Sequence, residues 1–400
     1  MSAARLFSGP DLGAGAESFG DHCRRLGVAP MGNDGLIATI GRSGLLGRGG
    51  GAFPVGQKWR SVADRSGRSA VVLANGAEGE PLSWKDRLLM AVRPHLVLDG
   101  AFLAAGAVGA EQVVLYVGEE HRAAGAAMAR ALAERPARER TGARLVASPP
   151  RYVAGEESAA VHFLNSGVAT PTTVPPRPFE RGVNGQSTLV QNVESLAQVA
   201  LIARYGDDWY RSAGAQGQGT LLLSVSGAVA TPGVLEVEAG TTIGEAVAAA
   251  GGASEPPSAV LLGGYFGGWV RAEEAWGLPL DALRLRERGL ALGTGVVSVL
   301  PRRACGVCET ARVLGYLAAE SAAQCGPCFF GLRALADACT RIAEGRSDLD
   351  DVARLQRWAR QVNGRGACRH PDGAVGFLRS ALVVFQSRFE RHSHVIAEAA

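Results

Sequence analysis

Lysine is nearly missing from this chain: Lys58 and Lys85 are the two lysines in 400 residues, and the other 39 of its 41 basic residues are arginine. Arginine does not replace a compact, flexible ammonium group everywhere, so the positions that keep lysine are candidate functional sites. Long apolar runs are missing too. No stretch reaches the ~18 residues of a membrane span, and no apolar core follows the first residues, so neither a span nor a secretory signal is expected. The alanine-rich stretch 100–110 is too short to span and reads as a buried helix. Net charge is only +3, and no basic patch carries interleaved aromatics, which leaves no case for nucleic acid. Cysteine is sparse and odd in number, seven, with Cys-x-x-Cys spacings; this fits a reducing cytoplasm better than a disulfide scaffold.

What is present is a large core: 47% hydrophobic and 20% charged residues in a length that predicts two or three domains. Residues 1–40 read as an irregular N-terminal segment with a short helix at Phe19–Leu26. From Ala70 strands and helices alternate: strands at 70–74, 113–117 and 144–147, helices at 86–109 (interrupted near Pro94), 121–134 and 156–165. That alternation predicts a mainly parallel sheet with ligand loops at the carboxyl ends of its strands. The proline-rich connector Pro171–Pro178 interrupts it before a helix at 191–205. Strands at 221–226 and 234–237 around a Pro232-Gly233 turn, with a helix at 243–250, predict a small β-grasp module. Four helical stretches, 307–321, 328–344, 348–363 and 373–391, predict a helix bundle. The expected layout is an N-terminal segment 1–40, a Rossmann-like α/β domain 41–215, a β-grasp domain 219–272, a connector 273–300 and a bundle 301–391.

Four motifs carry chemistry. Gly47-Arg-Gly-Gly-Gly-Ala-Phe-Pro-Val-Gly-Gln-Lys58-Trp59 exposes backbone N–H groups that can close around a phosphate, with Lys58 as a charge at its end. It matches neither a dinucleotide fingerprint nor a Walker loop, and alone it also reads as an ordinary surface loop. Asn75-Gly-Ala-Glu-Gly-Glu-Pro-Leu-Ser-Trp-Lys85-Asp-Arg87 follows a buried strand and offers Glu78 and Glu80 to ligand hydroxyls or amides, or forms a solvated acidic turn. Glu156 and Glu157 open a helix, where acidic side chains also complement the helix dipole. In the bundle, Cys325-Gly-Pro-Cys328 and the distant Cys368 have metal-ligand spacing, for iron–sulfur or zinc. Cys305 and Cys308 fall at the far end of the helix predicted at 307–321, ~20 Å away at ~1.5 Å per residue. They read, with Cys339 and Cys23, as buried inert thiols.

Together and in this order, these motifs resemble those of the NADH-binding flavoprotein subunit of respiratory complex I and its relatives in bacterial hydrogenases and formate dehydrogenases. The glycine loop matches with Ala and Gly exchanged at Gly51-Ala52. Asn75–Arg87, Gly155-Glu-Glu-Ser-Ala159, Gln191-Asn-Val-Glu-Ser195, Ser224-Val-Ser-Gly, Pro232-Gly-Val and Leu292-Gly-Thr-Gly295 match further motifs, over roughly residues 40–390. The resemblance implies FMN held by Gly47, Arg48, Gly49, Gly50, Gly51, Lys58, Asn75 and Asn192, with Gly155 and Gln191 in the same site. It implies NADH against Phe53, near Glu78, Glu80, Glu156 and Glu157, with Glu80 orienting it. Hydride would pass from NADH to FMN and single electrons onward to an iron–sulfur cluster. No catalytic acid or base is required, because the protein supplies orientation.

Two departures shape the expectation. The family's first cluster cysteine is Ala322 here, which leaves Cys325, Cys328 and Cys368 as ligands. The expected cofactor is therefore a [3Fe–4S] cluster, or a [4Fe–4S] cluster with a non-cysteine ligand. The aspartate of the second motif is Ala77. Neither a thioredoxin-like nor a ferredoxin domain is recognised beside these motifs. The expected partner is then a separate ferredoxin-like or iron–sulfur electron carrier, free or in a membrane-associated complex, in the cytoplasm. A degenerate flavin- or NADH-binding regulatory subunit, and a ferredoxin-driven NAD+ reductase, are the alternative readings.

Overall fold

The computed structural model describes residues 4–65, 69–348 and 350–394, which divide into two compact units. The first comprises Met1–Ser224 with Val234–Thr241, the second Val225–Gly233 with Thr242–Ala400.

The first unit carries helices α1 (Phe19–Leu26), α2 (Asp34–Ser43), α3 (Val55–Ala63), α4 (Lys85–Val92), α5 (Pro94–Val108), α6 (Arg122–Glu134), α7 (Ala137–Arg140), α8 (Glu157–Ser166) and α9 (Val193–Arg211). Strands β1 (Ala70–Gly76), β2 (Ala110–Gly118), β3 (Ala143–Ser148) and β4 (Thr188–Asn192) form a parallel sheet in the order β3-β2-β1-β4. Alternation along the central strand covers both of its faces. Val72 and Ala74 join the large core built with α5 and α9, whereas Val71 and Leu73 join a second core with Ala160 and Val161 of α8. Close helix packing depends on Gly100, where a Cβ would stand 2.0 Å from the Leu196 carbonyl oxygen. No single helix among the described residues is long and apolar enough to cross a membrane. The pair α4–α5 passes that test by length and composition, but it is bent by 98°, and α5 is mostly buried.

Strands β5 (Thr220–Gly227) and β6 (Gly233–Glu238) follow, and the division between the units falls inside β5. In the second unit α10 (Ile243–Ala249) is started by a capping box of Thr242 and Glu245. Next come β7 (Pro257–Leu262), β8 (Gly268–Arg271), α11 (Ala272–Ala275), α12 (Ala282–Glu287) and β9 (Val296–Pro301), with β7 pairing antiparallel to both β8 and β9. The remaining chain is helical: α13 (Gly306–Ala319), a π-helical stretch Pro327–Leu332, α14 (Arg333–Ala343), α15 (Asp351–Val362), α16 (His370–Val384) and α17 (Gln386–His394). Arg341 of α14 holds Asp351 of α15 through bonds of 3.0 and 2.7 Å, and Trp269 of β8 donates its backbone N–H to Ser380 of α16 at 2.9 Å.

Several expected boundaries move. The irregular segment 1–40 contains most of α2, started by the Asn33 side chain bonded to the Leu36 N–H at 3.1 Å. The segment read as the connector 273–300 contains α12 and most of β9, whose apolar residues pair with β7. The single helix expected at 328–344 begins instead with the π-helical stretch, and that at 373–391 is broken at Phe385.

Candidate active site

Strand β1 lies between β2 and β4, so the chain leaves it in one direction and returns on its other side. Ligands of open α/β sheets bind in the crevice at such a switch point, beyond the carboxyl ends of the strands. Asn75 and Asn192 are register partners at those ends of β1 and β4. Both side chains are already oriented. Asn75 donates its amide to the Gly155 carbonyl at 2.8 Å and accepts from the Ala77 N–H at 3.3 Å. Asn192 caps α9 by accepting from Glu194 N–H at 3.0 Å, and donates to Asp86 at 2.6 Å.

The glycine loop reaches this pair. Gly47 donates its N–H to the Phe53 carbonyl at 2.9 Å, which closes the loop. Gly49 lies so near Asn192 that a Cβ would come within 3.2 Å of the asparagine Cβ, whereas a Cβ on Gly51 would meet nothing within 4 Å. Gly50 has φ +108 and Ala52 φ 48, left-handed positions that turn the chain. Phe53 is exposed at the loop's edge. Arg48 contributes only backbone here. Its side chain points inward and bonds the Thr220 carbonyl at 3.1 Å and the Tyr210 hydroxyl at 3.3 Å, not a position open to a ligand. Gln191 is buried and accepts from the Trp59 indole N–H at 3.3 Å.

The two lysines differ. Lys58 of α3 is partly exposed and pairs with Glu157 at 3.0 Å, and Arg177 stands 3.5 Å from the same carboxylate. Lys85 is buried between Asp86 at 2.7 Å and Glu194 at 2.8 Å. Burial opposes its charge, but Asp86 and Glu194 more than offset this and raise its pKa. Burial likewise pushes Asp86 up; Lys85 pulls it down, Glu78 and Glu194 push it up, and it reaches about 7.

Three of the four glutamates expected to meet NADH are turned to the protein. Glu78, at φ 43, accepts from the Ser83 hydroxyl at 2.7 Å and from the Asp86 N–H, Arg87 N–H and Arg87 Nε at 2.9 Å each. This carboxylate is neither a solvated turn nor a free acceptor: it caps the first turn of α4. Glu80 is buried and accepts from the Tyr152 hydroxyl at 3.0 Å. Glu156 caps α8 through the N–H groups of Ser158 and Ala159 at 2.9 Å each, and burial raises its pKa despite these bonds and that of the Ser158 hydroxyl. Glu157 alone of the four stands at the rim. Ala77 sits in the apolar cluster with Val71 and Tyr116, so an aspartate there would need a partner for its charge.

In the second unit Cys325, Cys328 and Cys368 form no disulfide and lie near one another. Burial pushes the Cys328 thiol up to about 12, and its neighbours Cys325 and Cys368 add to the rise. Among the described residues no group of three His, Cys, Asp or Glu side chains is arranged to hold a single metal ion. Three neighbouring thiols have the donor chemistry of an iron–sulfur site. The inert-thiol expectation holds for Cys339, which is buried, but Cys305 and Cys23 are half-buried and Cys308 is exposed.

A switch-point crevice bordered by a glycine loop and paired asparagines is the setting in which α/β proteins bind nucleotides, and the second unit brings three thiols together. Similarity to known proteins narrows this class further. Residues 40–201 match the Nuo51 FMN-binding domain, residues 222–264 the SLBB domain, and residues 303–392 the NADH-ubiquinone oxidoreductase-F iron-sulfur binding region. The NADH-quinone oxidoreductase F 2 subunit of Rhizobium meliloti is 31% identical over 375 residues, covering 90% of this chain and 89% of that protein. The corresponding F subunit of Escherichia coli is 30% identical over 387 residues, covering 91% and 85%. The chain belongs to the family of NADH-quinone oxidoreductase F subunits. Its fold is shared with a chain of the NAD+-reducing [NiFe]-hydrogenase in the air-oxidised state, at TM-score 0.82 and 30% identity. That match covers 90% of this chain and 62% of the hydrogenase chain.

Proposed function

We propose that this chain is an NADH-oxidising subunit that binds FMN at the switch point of its parallel sheet and an iron–sulfur cluster in its C-terminal helical region. In this reading an α/β domain holds FMN and NADH, a β-grasp domain follows, and the helices carry the cluster. FMN supplies a centre that takes up hydride and gives electrons one at a time, and the cluster carries single electrons. The observation that carries the reading is the register pairing of Asn75 with Asn192 beneath Gly49, with Lys58 across the crevice on a partner it can exchange.

The residues divide the work by what they already hold. Backbone N–H groups of Gly49–Gly51, in the loop that the Gly47 and Arg48 N–H groups hold closed, and the ammonium of Lys58 receive the FMN phosphate, and Lys58 exchanges Glu157 for it. Asn75 and Asn192 fix the ring by amide bonds. Glu157, once released, and Glu80, on exchanging Tyr152 for the ligand, orient NADH beside Phe53. Glu78, Glu156 and Arg48 act indirectly, by fixing the loops on which these groups stand. Cys325, Cys328 and Cys368 ligate the cluster, with a non-cysteine ligand or a vacant corner at the place of Ala322. Electrons leave to an iron–sulfur partner in a cytoplasmic or membrane-associated assembly.

NADH:ferricyanide activity after reconstitution with FMN, iron and sulfide tests the reading. Turnover that needs added FMN is expected, together with an EPR signal of a three- or four-iron cluster. FMN retention without turnover would favour the regulatory reading instead, and failure to bind FMN would end both.

A further inference from the structure

The cluster reading uses three cysteines and leaves a second set at the opposite end of α13. Cys305 is the N-cap of that helix: its sulfur accepts the Cys308 N–H at 3.2 Å. The two thiols are close enough to hydrogen-bond. His392 of α17 places Nε2 3.6 Å from the Cys305 sulfur and turns Nδ1 to the Ile342 carbonyl at 3.3 Å. That carbonyl can only accept, which favours a proton on Nδ1 and leaves Nε2 free to take one from sulfur. Burial and the neighbouring Cys305 thiol push the Cys308 thiol up to about 11, although Arg388, bonded to the Arg302 carbonyl at 3.2 Å, adds positive charge beside it; this suits a resolving rather than an attacking thiol. The 14 residues of α13 at ~1.5 Å each put about 20 Å between this end and the end that leads to Cys325.

We infer that Cys305 and Cys308 form a redox-active dithiol, with Cys305 the attacking sulfur, His392 its proton acceptor and Cys308 the resolving thiol. Cys305 stands at a helix N-terminus with an imidazole at its sulfur, the setting of reactive cysteines, and Cys308 is exposed where an oxidant can reach it. Residues three apart on the first helical turn lie on one face, the spacing of Cys-x-x-Cys redox pairs. Two features separate this pair from its neighbour Cys339. That thiol is buried, which keeps an oxidant from it, and burial pushes it up to about 12, with Cys308 and Cys305 adding to the rise. The pair, His392 and Cys339 are also not arranged about a single point, since no such group of three occurs among the described residues.

The oxidant is a small-molecule or protein disulfide. Cys305 thiolate attacks one sulfur of the disulfide, forming a mixed disulfide and expelling one thiolate, while His392 keeps the Cys305 proton. Cys308 then passes its proton to the first expelled thiolate and attacks the Cys305 sulfur, closing the Cys305–Cys308 bond and expelling the second thiolate, which takes the proton held by His392. Two protein thiols are oxidised and one disulfide is reduced to two thiols.

The test equilibrates the full chain in glutathione buffers of graded ratio, quenches with acid, alkylates and maps the peptides by mass. The Cys305–Cys308 peptide is expected to lose two hydrogens in one transition while Cys339 stays alkylatable. Cys308→Ser is expected to accumulate glutathione on Cys305. His392→Gln is expected to slow closure about threefold to tenfold at neutral pH, through loss of the proton acceptor at the Cys305 sulfur. Independent alkylation of both thiols across the whole range would overturn the proposal, as would pairing of either with Cys339, or a stoichiometric zinc ion that protects both. None of these readouts depends on NADH or FMN.

Discussion

The loop of Lys58 and the loop of Lys85 meet the same crevice with opposite designs. Lys58 keeps about a quarter of its side chain in solvent and one carboxylate at 3.0 Å, so a phosphate can replace that partner at small cost. Lys85 is 2% exposed and serves two buried carboxylates at once. Withdrawing it would leave both uncompensated, which is far more costly than any exposed pair is worth. One lysine is therefore available to a ligand and the other is a strut beneath Asn192. Exposure and the number of partners separate them, although both stand in glycine-punctuated loops of the sequence.

The largest effect that sharpens this contrast is expected at the strut. Lys85→Met strands Asp86 and Glu194 and is expected to cost about 3–5 kcal/mol in urea unfolding; a change below ~1 kcal/mol would erase the distinction. Glu78→Ala removes the cap of α4 and the bonds to Ser83 and Arg87. It is expected to cost about 1–3 kcal/mol and to weaken NADH and FMN binding only through the loop. Lys58→Ala is expected to change unfolding by less than ~1 kcal/mol. It should nevertheless weaken FMN binding about tenfold or more in fluorescence titration, since charge-assisted bonds are worth ~1.5–3 kcal/mol. An unchanged FMN affinity would move the phosphate away from this lysine.

A further effect is a slope. Asp86 is raised from its ordinary 3.8 to about 7 in the folded chain. The unfolded chain gives up this proton first, so the contribution of Asp86 is full below 3.8 and declines as pH rises to about 7. Asp86→Asn is expected to flatten the stability profile in that window. A profile unchanged by the substitution would mean that Lys85 keeps Asp86 ionised throughout.

Much of the fold was legible because apolar periodicity reports burial directly. The buried run at 70–74 lies in β1, and Phe19–Leu26 is helical as expected. What sequence pattern hid was structure set by neighbours. Strand β9 reads as connector because Gly289, Gly293 and Gly295 precede it, and its partner β7 lies some 40 residues earlier. Helix α3 starts inside the glycine motif itself, where loop chemistry masks its apolar Val55, Trp59 and Val62. At the site, spacing located the right loops but not the direction of side chains. Arg48 and Glu78 carry charges that suit a ligand, yet both are spent on carbonyls, hydroxyls and N–H groups within the unit. Cys305 and Cys308 were recognisable as a pair, but His392 lies 87 residues from Cys305 and only the fold brings it alongside.

Anaerobic titration with NADH, followed at the flavin absorbance band, tests the central claim most directly. The account predicts stoichiometric bleaching of bound FMN, lost in parallel with FMN binding in Lys58→Ala. A shift of the band without bleaching, at saturating NADH, would contradict it.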